Sequence, residues 1–218
     1  MEAISASGLR KRYGARSVLD GADLSLAEGE RAAVYGPTGA GKTTLLYCLA
    51  GLVRPEGGRI EIFGAAAEGD GVFVPPDERG IGMVFQKALL WPHMRVRENV
   101  EYALYPLRLP TGERKARVRE VLDLFGASEL EMRRPETLSG GQVQRVALAR
   151  SIAARPRILL WDEPFTGFDD EARDEVAARA LAHIGETKTT LVMVSHRRDD
   201  AAAMKAGILR LENGKLVS

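Results

Sequence analysis

The sequence is poor in several things, and each shortage excludes something. It has one cysteine, Cys48, so no intrachain disulfide can form. Such sparse usage fits a reducing compartment. Net charge is almost nil, with 31 Lys and Arg against 30 Asp and Glu. That balance gives no overall basic field, so charge offers no reason to expect nucleic acid. No apolar run approaches the roughly 20 residues that a spanning helix needs. The opening MEAISASGLRKRYG has no apolar core of the kind a signal peptide carries. Any membrane role is therefore expected to pass through a partner. Low-complexity tracts and internal repeats are also missing.

What is present is enough for a folded domain. Apolar residues make up 45% of the 218 and charged residues 28%, which suits one large domain or a domain with an inserted subdomain. Residues 2–35 read as strands broken by turns, with alternation in ADLSLAEGERAAVYG. RAAVYG ends at Gly36, and a helix is expected to open near Lys42. RIEIFG (59–64) reads as a strand, 65–80 as loop, and IGMVF (81–85) as a short buried strand. From about 95 to 155 the pattern is helical. In ERKARVREVLDLF, Val118, Val121, Leu122 and Phe125 fall on one stripe, and Gly126 can end that helix. RILLW (157–161) reads as an apolar strand, followed by a helix at about 170–183, a strand in TTLVMVS (189–195) and a strand pair around Gly214. Strand and helix alternate at both ends around a helix-only insert. This predicts a mainly parallel α/β core (about 1–86 and 156–218), an N-terminal antiparallel β subdomain and an inserted α-helical subdomain (about 87–155).

Gly36-Pro37-Thr38-Gly39-Ala40-Gly41-Lys42-Thr43 matches GxxxxGK[ST] between an expected strand and helix. Glycines let successive backbone N–H groups turn inward around phosphate oxygens, and a helix N-terminus adds partial positive charge. Lys42 can reach β- and γ-phosphates, and the Thr43 hydroxyl can ligate Mg²⁺. This is the phosphate loop of a P-loop NTPase. The apolar strand ILLW then ends in Asp162-Glu163-Pro164, at the edge where open α/β sheets bind ligands. Asp162 is expected to partner Thr43 at Mg²⁺, and Glu163 to polarise an attacking water. Kinases, GTPases and motor ATPases share these parts, although a GTPase would want an NKxD motif, which is missing.

LSGGQ (138–142) supplies a second anion cap. Ser139 is a natural N-cap, and Gly140 and Gly141 expose backbone N–H groups at the start of GQVQRVALARSIAA. If the helical insert stands away from the core, one chain is not expected to use both cradles on one γ-phosphate. Two copies placed head-to-tail resolve this, each cap closing over the nucleotide held by the other copy.

LSGGQ, GPTGAGKT and ILLWDEP, in this order and spacing, closely resemble the ATP-binding subunits of ABC transporters, over essentially the whole chain. The resemblance implies that ATP is held by Tyr13, which stacks on adenine, and by Gly36, Pro37, Thr38, Gly39, Ala40, Gly41, Lys42, Thr43 and Thr44. The partner copy's Ser139, Gly140, Gly141 and Gln142 complete the site. It also implies catalytic roles for Glu163, Lys42, the switch histidine His196 and the Q-loop glutamine Gln86. Mg²⁺ falls to Thr43, Asp162 and Gln86, and Asp169 to the dimer interface. Departures from the usual pattern are Thr166-Gly167-Phe168 in place of Ser-Ala-Leu, Arg197-Arg198 after His196 where an acidic residue is common, and Val143 after LSGGQ.

The activity so implied is ATP hydrolysis coupled to transport. PPDERGIGMVFQ and WPHMRVRENV look like the ATPases of bacterial importers for oxyanions, iron, polyamines or thiamine. Expected partners are a second copy, a polytopic permease subunit received by part of 87–106, and an extracytoplasmic solute-binding protein. The expected location is cytoplasmic, on the inner face of the membrane. No room is expected after Ser218 for the regulatory β domain that many such relatives carry. The rival class is a soluble ABC-type ATPase acting on nucleic acid or ribosomes. A P-loop kinase is weaker, because it leaves LSGGQ without a task.

Overall fold

In the computed structural model, which describes residues 1–217, two sheets share the chain. The first is antiparallel. Strands β1 (Glu2–Tyr13) and β2 (Arg16–Ala27) form a long hairpin, and β1 pairs on its other side with β4 (Gly57–Ile62). Then come β5 (Ala65–Gly69) and β6 (Val72–Phe73), giving the order β2-β1-β4-β5-β6. The stretch 65–80, expected as loop, thus holds two strands and a short 3-10 turn at Pro76–Glu78. Its alanines and glycines have poor strand propensity, but strand formation here is imposed by pairing to β4.

The second sheet has the order β11-β10-β3-β9-β8-β7. Its members are β3 (Arg31–Tyr35), β7 (Ile81–Val84), β8 (Ile158–Asp162), β9 (Thr190–Val194), β10 (Gly207–Glu212) and β11 (Lys215–Val217). All pairings are parallel except β10 with β11. Every residue of β8 and β9 is buried, as expected for strands covered on both faces.

Side-chain alternation divides the core. Leu160, Val192 and Val194 face α1 (Lys42–Ala50) and the antiparallel sheet, joining Ile4, Leu9, Leu45, Leu49 and Ile60. Leu159, Trp161, Leu191 and Met193 face the other way. There they meet α2 (Val96–Tyr102), α3 (Thr111–Leu124), α4 (Gly140–Ala153) and α5 (Asp170–Thr187). The stripe Val118, Val121, Leu122 and Phe125 is wholly inside, and Gly126 follows α3 at φ 61. The helices between β7 and β8 therefore share one apolar cluster with the sheet. Each buried Val, Leu or Phe there contributes about 1.5–3 kcal/mol. Helix α5 runs four residues beyond the expected 183, and a short α6 (Arg198–Ala203) was not expected at all. Among the described residues no helix is long and apolar enough to cross a membrane.

Candidate functional site

The C-terminal edge of the parallel sheet gathers the chemistry. The phosphate loop follows β3, His196 follows β9, Glu163 follows β8 and Gln86 follows β7. Because β3, β9, β8 and β7 are successive neighbours, these four groups leave the sheet at intervals of about 4.8 Å.

Glycines shape the phosphate loop. A Cβ on Gly36 would lie 2.6 Å from the Leu211 carbonyl oxygen. Gly41, just before α1, sits at φ 103, and a Cβ there would meet Val18 Cγ1 at 2.6 Å and its carbonyl oxygen at 2.7 Å. No other residue fits there without displacing β2. The Lys42 ammonium turns back over the loop, donating to the carbonyls of Gly36 (2.7 Å) and Pro37 (3.0 Å). Ala40 N–H donates to Pro37.

A cleft of about 340 Å³ opens in front of the loop. It brings together Tyr13, Thr38, Gly39, Gly41, Lys42, Thr43, Thr44, Gln86 and Glu163. Tyr13 stands at its rim, 52% exposed, with the Lys11 ammonium 5.6 Å from its ring centroid. Arg16, which the sequence did not single out, also lines the cleft and donates to the Gly39 carbonyl at 2.7 Å.

Asp162 is buried at the base, 1% exposed, and neither carboxylate oxygen has a hydrogen-bond partner. Burial raises its pKa. Thr43 draws it down without closing a bond of hydrogen-bonding geometry, and Glu163 and Lys42 act in opposite senses. A hydroxyl beside a buried carboxylate with two free oxygens is an oxygen-donor set that fits Mg²⁺.

Glu163 adopts φ 50, a strained region for a non-glycine residue. Its N–H donates to the Val194 carbonyl, which fixes the turn to the neighbouring strand. Its carboxylate accepts from the Thr166 hydroxyl (3.3 Å) and lies 3.6 Å from His196 Nδ1. Thr166, noted only as a departure from the usual Ser, keeps that donor.

The second anion cap lies against Gly167 and Phe168 of the loop that follows Glu163. Ser139, Gly140, Gly141 and Gln142 are not among the residues lining the cleft. Ser139 caps α4 in a capping box: its hydroxyl accepts from Gln142 N–H (3.3 Å), and Gln142 Oε1 accepts from Ser139 N–H (3.0 Å). The Ser139 hydroxyl proton stays free to be donated. Gln144, buried in α4, donates to the Pro164 carbonyl at 2.8 Å, tying this helix to the loop behind Glu163. Asp169 caps α5 by accepting from Ala172 N–H.

A larger cavity, about 780 Å³, lies apart from the phosphate loop. Phe85, Leu89, Trp91, Pro106, Leu107 and Arg150 line it. Arg150 sits 4.9 Å from the Trp91 ring centroid and donates to the Ala88 and Leu89 carbonyls. Burial lowers its pKa to about 10, which leaves it protonated at neutral pH.

A family model described as ABC transporter matches residues 19–166. The chain is 39% identical to a sulfate/thiosulfate import ATP-binding protein, CysA, of Mycolicibacterium paratuberculosis, over 98% of this chain and 58% of that protein. It is 40% identical to the putrescine transport ATP-binding protein PotG of Escherichia coli K12, over 96% and 54%. The chain thus spans a little over half the length of these relatives. Among solved structures, the ATP-binding cassette MJ0796, in a dimeric post-hydrolysis state with ADP and Pi, matches with a TM-score of 0.88 at 29% identity, over 99% of this chain and 97% of that one.

Proposed function

The chain belongs to the ABC transporter family, and from that premise we propose that it is an ATP-hydrolysing subunit that powers solute import as a head-to-tail dimer. One observation carries the reading. The phosphate loop, Gln86 and Glu163 share one cleft, whereas the second anion cap, with Ser139 and Gly141, does not line it. A second copy then supplies the missing wall. The dimeric state of MJ0796 with ADP and Pi supports this arrangement.

In this reading Tyr13 stacks on adenine. The free N–H groups of the phosphate loop bind the phosphates, Pro37 having none, and Lys42 exchanges its two carbonyl acceptors for β- and γ-phosphate oxygens. Thr43 and Asp162, with Gln86 beside them, hold Mg²⁺, which when bound neutralises charge on those phosphates. Glu163, steadied by Thr166, accepts a hydrogen bond from the water that attacks the γ-phosphorus. His196 donates to the γ-phosphate oxygens. From the second copy the Ser139 hydroxyl and Gly141 N–H donate to the same group. The helical stretch 87–155 acts as the unit that carries this cap.

The transport reading rests on the functions that CysA and PotG carry in their names, and the import direction on that of CysA. The same names weigh against a soluble ATPase acting on nucleic acid or ribosomes. The apolar cavity beside the segment after Gln86 suits a helix of a polytopic permease. Attachment there places the chain on the cytoplasmic face, with a solute-binding protein on the other side. Cross-linking tests the groove. Leu89 is 58% exposed, and the buried Cys48 thiol, its pKa pushed up to about 12, cannot compete for a cross-linker. A Leu89→Cys chain should therefore cross-link to the permease and to nothing through Cys48.

The decisive experiment is Glu163→Gln. Turnover should fall by at least about 100-fold while ATP now holds stable dimers on size exclusion. Turnover like the parent's would overturn the base assignment.

A further inference from the structure

We propose that Arg197 is a positioning residue for hydrolysis, its ion pair with Asp170 setting the turn after β9 so that the His196 ring meets Glu163. The inference rests on the functional reading above and concerns how two loops of that site are held in register.

The main chain of the turn is well fixed. The Ser195 hydroxyl donates to Asp200 Oδ2 (2.5 Å) and accepts from Arg197 N–H (2.9 Å). The Tyr35 hydroxyl donates to the Arg197 carbonyl. None of these bonds touches the His196 ring, whose side chain is 63% exposed and whose nearest carboxylate, Glu163, stands at 3.6 Å, beyond hydrogen-bond range. The Glu163 N–H bond to the Val194 carbonyl ties the loop of residues 163–169 to the end of β9, but it does not orient the His196 side chain against the Glu163 carboxylate.

Arg197 spans that gap. Its guanidinium donates to Asp170 Oδ1 at 2.6 Å, with Asp199 at 3.9 Å. The hydrogen bond from Arg197 holds the Asp170 carboxyl below its usual range. Asp170 opens α5 directly after Asp169, which caps that helix, and so marks the end of the loop that begins at Glu163. Beyond that main-chain tie, side chains of the two loops approach at His196 with Glu163 and bond at Arg197 with Asp170. Fixing the second point fixes the approach at the first. An acidic residue at 197 would repel Asp170, so this chain's basic residue after its histidine has a matching acidic residue across the gap.

An exposed pair of this kind commonly contributes nothing to stability. Here that separates the two accounts. Asp170 keeps Arg173 at 3.0 Å when Arg197 is removed, so the start of α5 stays neutralised. Loss of the latch should change the rate and leave the fold alone.

The test uses the full chain with Arg197→Ala, Asp170→Ala, both together, and Arg197→Lys. Each single change should lower kcat about fivefold, with KM for ATP and melting temperature unchanged. The double variant should be no worse than either single one, and Arg197→Lys should recover part of the loss. Parent-like rates, or two losses that multiply, would overturn the proposal. A second arm does not depend on turnover. With only His93, His183 and His196 present, the His196 ring signals can be followed by NMR. Glu163→Gln should displace them in the parent chain and displace them clearly less when Arg197 is Ala. Equal displacement in both backgrounds would sink the latch. A parent chain without ATPase activity would instead refute the functional reading, and the NMR arm would still decide this one.

Discussion

Asp162 shows how a single side chain can be poor for the fold and good for the site. Desolvation raises its pKa in the folded chain. A raised folded-state pKa means that the folded form holds the proton better than the unfolded one. Its stabilising contribution is therefore complete below the unfolded carboxylate value and is lost as pH rises through the folded value. Above the folded value the ionised group weighs against folding. Asp162→Asn should raise the melting temperature in metal-free buffer, by about 2–4 °C for each kcal/mol recovered. The same change should abolish the extra stabilisation that Mg²⁺ adds to ATP. Thermal melts with and without chelator check both, and a lower melting temperature in chelator would contradict the account. At this scale the sequence was legible where spacing encodes chemistry, as in Gly41, Lys42, Thr43 and Asp162. Arg16 and Arg197 were not legible, because each meets its partner only when the fold brings together residues 23 and 27 positions apart.

Helix α1, which opens at the phosphate loop, is pinned at its far end by Arg79. That guanidinium is fully buried and donates to the carbonyls of Cys48 and Leu49 at the end of α1, of Ala67 in β5, and of Val74 just after β6. The carbonyls at a helix C-terminus lack helical partners and carry partial negative charge; here Cys48 also accepts from the Gly51 N–H, and the buried cation bonds both Cys48 and Leu49 and offsets that charge. Its removal also strips Glu68 of a 3.7 Å ion-pair partner, although Glu68 Oε2 already lacks a hydrogen bond. Arg79→Ala should destabilise the chain by about 3–5 kcal/mol, read from urea or guanidinium unfolding. A loss below about 1 kcal/mol would make this pin irrelevant. The elements that were hardest to read lie here too. β5 and β6 owe their extended form to β4 and to glycines such as Gly69, at φ 106, which packs against the Gly58 carbonyl. Nothing in AAAEG or GVF announces a strand. By contrast α4 announced its start, because a serine three residues before a glutamine is a capping box whatever surrounds it.

For the whole assembly, a site built from two copies makes a prediction that no single-chain site can meet. On the proposed reading, Ser139→Ala damages the cap that a chain lends, and Glu163→Gln damages the site that it keeps. A mixed dimer of the two variants therefore has one site with both defects and one with none. Mixing the chains before adding ATP should restore about a quarter of the parent activity if pairing is random and the sites are independent. Activity no greater than the average of the two variants alone would place cap and base on the same nucleotide within one chain. The strand order behind each site has its own consequence. Backbone hydrogen bonding sets the pitch between β3, β9, β8 and β7, and side chains cannot stretch it. Reach across that pitch therefore depends on side-chain length, and Glu163→Asp, shorter by a single methylene, should be nearly as inert as Glu163→Gln despite keeping its charge. The frame behaves like a fretted instrument: a note can be changed by moving to another fret, never by sliding between two.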